Sequence, residues 1–225
     1  MVMMRLLIVF LLFVSAGCDG GSDGDSIEYA ALGASDVVGI GATPLTNGYV
    51  YLVADGIEQQ RNEGVDLNNL GIPGATVATI REAAVEILKR SSTPSLITLS
   101  TGANDVIAGD SPASFEQDLS QLLDDLRAIA PQATIAIANV PNLTEVPRFV
   151  EEPDRDVTIS RLRSFNSAIA RQAKAYNALL VDLYSVPVND ALVNDVDGFH
   201  PSDAGHRAIA NQFLAVIAPY IPSLS

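Results

Sequence analysis

Leu96-Ile97-Thr98-Leu99-Ser100-Thr101-Gly102-Ala103-Asn104-Asp105 is an apolar run of strand length that ends in a Gly-Ala-Asn-Asp cluster. With few polar interruptions, 96–101 reads as a strand buried on both faces; a strand with one wet face would alternate. Segment 133–140 has the same character, and 27–33, 65–70 and 178–184 are further strand-length runs, the set being rich in Ile, Leu and Val. Between these runs the apolar period changes to that of a helix. In 114–130, Phe115, Leu119, Leu122, Leu123, Leu126 and Ile129 fall on one stripe; Ser114 and Gln117 predict a capping-box start and Pro131 a stop. Segments 76–90 (Ile80, Ala84, Ile87, Leu88), 158–177 (Ile159, Leu162, Ile169, Tyr176) and 203–218 (Ile209, Phe213, Val216) repeat the pattern. Segment 47–61 is a fifth helix, weakened by Gly48 and Gly56.

Five strands alternating with five helices predict a parallel sheet covered on both faces, a three-layer α/β/α sandwich joined by right-handed crossovers. In open parallel sheets, ligands bind beyond the carboxyl ends of the strands. Residues with chemistry to perform should therefore follow strands directly. They do so here. The first strand runs into Gly33-Ala34-Ser35-Asp36, the second into Gly71 and the third into Gly102-Ala103-Asn104-Asp105; Asp197-Gly198-Phe199-His200 follows the fifth.

These residue types suit nucleophilic attack on an acyl group. A serine hydroxyl needs a neighbouring base to take its proton, and the chain has only two histidines, His200 and His206. His206 falls inside the last helix and is expected to be structural. Asp197, three residues before His200, can orient the imidazole if the Gly198-Phe199 turn brings the two side chains together. A tetrahedral oxyanion needs preorganised donors, for which the Ser35 and Gly71 N–H groups and the Asn104 amide are candidates.

Ser35, Gly71, Asn104 and His200, in that order, resemble the four blocks of the SGNH (GDSL-like) hydrolases. Gly33-Ala34-Ser35 with Gly39, Gly102-Ala103-Asn104-Asp105 and Asp197-Gly198-Phe199-His200-Pro201 resemble the first, third and last blocks, and the likeness spans about residues 27–218. It implies a flavodoxin-like sheet, a metal-free mechanism without cofactor and an acyl-ester or thioester substrate. Ser35 would be the nucleophile, Asp197 and His200 its support, and Ser35, Gly71 and Asn104 the oxyanion hole. One departure stands out: the family places Asp before the serine, whereas here Ala34 precedes it and Asp36 follows. Two rival readings are a carbohydrate O-acetyl esterase on the same scaffold and a surface binding lipoprotein with a retired site.

Composition narrows the partners. Of 225 residues 48% are hydrophobic and 18% charged, which supports a folded core and not a disordered chain. Arg5 is the only charge in the first seventeen residues, leaving 12 basic against 27 acidic side chains, a net −15. Such a surface repels phosphate backbones, so no nucleic acid is expected. Met1 to Arg5, the apolar run 6–14 and the small residues Ser15, Ala16 and Gly17 read as a signal peptide over 1–17. Cys18, the only cysteine, then resembles the lipid-bearing residue of a bacterial lipoprotein, although Ser15 stands where that pattern usually has Leu. Residues 19–26 read as an acidic tether, and 27–225 as the hydrolase domain. The chain is thus expected to be lipid-anchored to a membrane of the bacterial envelope, periplasmic or outward-facing. No metal is expected either: Asn194-Asp195-Val196-Asp197-Gly198 hints at a calcium loop, but Val193 holds the first ligand position and the closing Glu is absent. Residues 145–156 read as a charged loop over the rim, with Phe149 or Val150 in reach of an acyl chain.

Overall fold

The computed structural model describes residues 26–224. Five parallel strands, β1 (Ile27–Gly33), β2 (Val65–Gly71), β3 (Leu96–Ser100), β4 (Thr134–Ala138) and β5 (Leu179–Val181), form one sheet in the order β2-β1-β3-β4-β5. The helices are α1 (Ser35–Val38), α2 (Tyr49–Arg61), α3 (Val77–Leu88), α4 (Ala103–Ala108), α5 (Pro112–Ile129), α6 (Pro147–Glu151), α7 (Ile159–Ala175) and α8 (Asp203–Ile217). This is the predicted three-layer sandwich with flavodoxin-like strand order.

Alternation along each strand splits the core in two. From β1 and β3, Ala30, Leu32, Ile97 and Leu99 point to one face and pack with α3, α5 and α7. Ile27, Tyr29, Ala31 and Leu96 point to the other, against α2 and α8. Because both faces are covered, β3 carries no wet side, which is why its sequence is a continuous apolar run. Its one buried hydroxyl, Thr98, is paired with the Tyr29 hydroxyl at 2.8 Å.

Two expectations need adjustment. The α5 helix starts before Ser114: Ser111 is its cap, accepting from the Ser114 N–H (3.1 Å), with Pro112 at the first helical position. Proline suits that site because its missing N–H would have no partner there. Second, 145–156 is not a plain loop: Pro147 opens α6, whose Phe149 is buried while Val150 faces solvent.

The chain leaves β1 for β2 on one side, then crosses to β3 on the other. Strand order therefore reverses between β1 and β3, and the crevice at such a reversal is where ligands sit in this architecture. Ser35 and Gly102-Ala103-Asn104 follow the two strands that flank it.

Candidate active site

Ser35 is the first residue of α1, directly beyond β1. Its N–H donates to no acceptor among the described residues, so it faces the crevice free. Across from it, the segment after β5 presents His200. The His200 Nε2 lies 2.9 Å from Ser35 Oγ, and Nδ1 lies 2.5 Å from Asp197 Oδ2. A carboxylate only accepts, so Nδ1 carries the proton and Nε2 is left as acceptor for the serine hydroxyl.

Asp197 does two jobs. Its Oδ1 accepts the N–H groups of Phe199 (2.9 Å) and His200 (3.0 Å), which builds the turn that aims the imidazole. Gly198 supplies the positive φ, +62°, that this turn needs. Partial burial would push the Asp197 carboxyl up, but the His200 ring and the two N–H donors outweigh it and hold the group below the ordinary carboxylate range. It stays charged when the imidazole becomes cationic. The turn in turn rests on Gly41, where a Cβ would come within 2.2 Å of the Pro201 carbonyl oxygen; the Gly41 carbonyl accepts from the Asn194 side chain at 2.9 Å.

Aromatic contacts clamp the turn from above. Phe199 meets Phe149 edge-on at 5.7 Å between centroids, and the Arg148 guanidinium lies 5.3 Å from the Phe199 ring centre. Phe149 therefore packs on the turn and does not line the cavity, which corrects its expected contact with substrate; Val150 is 61% exposed and points away as well.

Asn104, the second residue of α4, lines the same cavity as Ser35. One of its amide protons goes to the Ala75 carbonyl at 2.9 Å, which fixes the side chain and leaves the other free. The next residue, Asp105, turns inward. Its carboxylate accepts the Val77 N–H at 3.0 Å at the start of α3, and burial raises its pKa to about 6.

Gly71 requires a correction. Its N–H is taken by Asn69 Oδ1 at 3.0 Å, and a Cβ there would meet the Val38 backbone nitrogen at 2.7 Å. The close approach is real, but it is to α1 and not to a substrate. Gly74, three residues on, has an N–H with no acceptor among the described residues and sits beside Ala75, a cavity residue. Gly71 closes β2 and Gly74 lies in the turn after it; the Asn69 side chain takes the N–H of the first and leaves that of the second without an acceptor among the described residues.

Asp36, where the departure from the family pattern lies, accepts from Ser100 Oγ at 2.5 Å at the floor of the cavity. Burial raises its pKa, which the Ser100 hydroxyl opposes only in part. His206 is fully buried: Nδ1 accepts from the Tyr49 N–H (3.2 Å) and Nε2 donates to the Ile40 carbonyl (3.0 Å). Burial lowers its pKa, so it is a neutral strut between α2 and α8. Asn139 went unread in the sequence. It directly follows β4 and accepts the N–H groups of Leu183 and Tyr184 (2.7 and 2.8 Å), tying the rims of β4 and β5 under the cavity.

The cavity holding Ser35, His200 and Asn104 measures about 110 Å³. Among the described residues no group of three or more His, Cys, Asp or Glu is disposed to hold a metal, and no helix is long and apolar enough to cross a membrane. Cys18 and the expected signal peptide lie outside the described residues.

The sequence pattern of the GDSL-like lipase/acylhydrolase family matches residues 24–208. The chain belongs to this family. As a GDSL-like acylhydrolase it is an ester-hydrolysing enzyme. No curated protein sequence matches it. Solved structures do: TesA at 21% identity and TM-score 0.70 (85% of this chain, 98% of that one), and a family 3 carbohydrate esterase of Clostridium thermocellum at 18% and 0.70 (88% and 98%). The psychrotrophic esterase EstA of Pseudoalteromonas, in a structure inhibited by monoethylphosphonate, matches at 18% and 0.69 (87% and 98%). At such identities the likeness is one of fold.

Proposed function

We propose that this GDSL-like acylhydrolase cleaves carboxylic esters through an acyl intermediate on Ser35. The observation that carries the reading is the line Ser35 Oγ–His200 Nε2–His200 Nδ1–Asp197 Oδ2, with both links at hydrogen-bond distance and the carboxylate held charged. His200 takes the hydroxyl proton as Ser35 Oγ attacks the ester carbonyl. The oxyanion is met by the Ser35 N–H, the free Asn104 amide proton and the Gly74 N–H, donors already oriented before the charge develops. Imidazolium then protonates the leaving alcohol as the C–O bond breaks, leaving acyl-Ser35. Water attacks that ester, His200 takes its proton and returns one to Ser35, and the acid departs.

A retired binding site is the rival that this arrangement opposes, since a binder has no use for a hydrogen-bonded Ser–His–Asp line. Hydrolysis of p-nitrophenyl acetate and longer esters by the protein beside Ser35→Ala tests the reading. Activity lost in the variant, together with fluorophosphonate labelling of the wild type at Ser35, is expected. Absence of both activity and labelling would retire the serine mechanism.

For location we propose the bacterial envelope, with acylated Cys18 as anchor. The reading rests on the apolar run 6–14 followed by small residues and a lone cysteine. Mass spectrometry of the membrane fraction should find diacylglyceryl mass on Cys18; a soluble protein processed normally as Cys18→Ser and bearing no lipid would overturn it.

A further inference from the structure

A second cavity, of about 100 Å³, adjoins the catalytic one beyond His200. Pro141, Val146, Leu183, Phe199, Pro201 and Ile209 line both, so the two compartments share one wall. The far side is made by Val186, Val188 and Leu192 from the segment after β5, and by Ala208 on α8. No charged or hydrogen-bonding side chain lines this second compartment, whereas the first contains Ser35, Asp36, Asn104, Asn139 and His200. Polarity thus falls away from the nucleophile in one direction.

This compartment opens to solvent and its surface is almost wholly apolar, so water resting there finds few hydrogen-bond partners. Covering it with an alkyl chain removes apolar surface from water. A sugar ring would leave its hydroxyls unpaired there. The shared Phe199 is moreover held in place by Arg148 and Phe149, so the partition is part of the structure that sets His200.

Resting on the ester-hydrolase reading above, we infer that the second cavity receives the alkyl end of the acyl group whose carbonyl lies at Ser35. The preferred substrates are esters of fatty acids with several methylenes, not acetyl esters. Each buried methylene favours binding about fourfold, so a hexanoyl chain gains well over tenfold against acetyl if most of its extra methylenes are buried.

The test measures kcat/KM of the full protein on p-nitrophenyl acetate, butyrate, hexanoate and octanoate, and on hexyl acetate. Wild type, Ala208→Leu and Val188→Phe are compared, with melting curves of each. Wild type should favour hexanoate over acetate by at least about tenfold, and either filled variant should lower that ratio by about tenfold. A variant that melts early is replaced by the other, which fills the cavity from the opposite wall. Rates of Ser35 labelling by ethyl and hexyl fluorophosphonates, with fluoride leaving as the Oγ–P bond forms, supply a readout without mutation, with hexyl expected to be faster. Ser35-dependent acetate hydrolysis with no preference for hexanoate overturns the inference and leaves the ester-hydrolase reading standing. A preference for hexyl acetate over p-nitrophenyl hexanoate, or an unchanged ratio in folded filled variants, also overturns it. Absence of any Ser35-dependent hydrolysis and labelling is instead a failure of the underlying reading.

Discussion

The guanidinium of Arg148 lies 5.3 Å from the centre of the Phe199 ring, and the Arg148 N–H donates to the Gly198 carbonyl at 2.9 Å. Through these two contacts α6, which follows β4, grips the Asp197–His200 turn, which follows β5. The side chain touches no reacting atom, so its effect on catalysis runs through the position of Phe199 and His200.

Arg148→Ala should therefore lower kcat modestly, by about two- to fivefold, in line with an exposed cation–π contact worth about 0.5–1 kcal/mol. Arg148→Lys should recover part of the loss, because the backbone bond survives and a cation returns. Steady-state kinetics on a p-nitrophenyl ester checks both; wild-type kcat in Arg148→Ala would show that the turn holds itself.

Asp197→Asn should reduce kcat by about 10²–10⁴. The amide can still accept the Phe199 and His200 N–H groups through its oxygen, so the turn is retained, but the imidazole loses its charged partner and its enforced tautomer. Ser35→Ala and His200→Ala should each cost several orders of magnitude, and the double variant little more than either alone, since the residues act as a unit.

Asn104 and Gly71 should separate by the kind of damage. Asn104→Ala removes an oxyanion donor and should cost about 10²–10³ in kcat with a folded protein. Gly71→Ala drives a Cβ to within 2.7 Å of the Val38 nitrogen, so its signature is a lower melting temperature. A kcat loss for Gly71→Ala at unchanged melting temperature would restore Gly71 to the oxyanion hole.

Asp105 should make stability depend on pH. Burial raises its folded pKa to about 6 from the ordinary 3.8, so the folded protein binds this proton more tightly than the unfolded chain. The stabilisation is complete below about 3.8 and is lost as pH rises through about 6. Asp105→Asn keeps an acceptor for the Val77 N–H and should flatten this part of the Tm-against-pH profile, raising stability relative to wild type above pH 6. An unchanged profile between pH 4 and 7 would show that the carboxyl titrates normally.

Much of the architecture was legible before any coordinates. The run at 96–101 is apolar throughout because β3 is covered by α3 and α5 on one side and α2 and α8 on the other, and that requirement is written residue by residue. The placement of Ser35, Asn104 and His200 after strands follows from the same periodicity. The short helices α1, α4 and α6 were missed because four to six residues carry too little period to recognise.

Strand–helix alternation, the buried faces and the choice of reactive side chains are therefore written locally in the chain, since each is read from residues within a turn or two of one another. Which glycine N–H remains free is settled in three dimensions, because that choice turns on where the Asn69 side chain bonds. The same holds for the apolar cavity behind His200: its walls come from segments after β4, after β5 and on α8, and a void is a property of how their side chains meet in space.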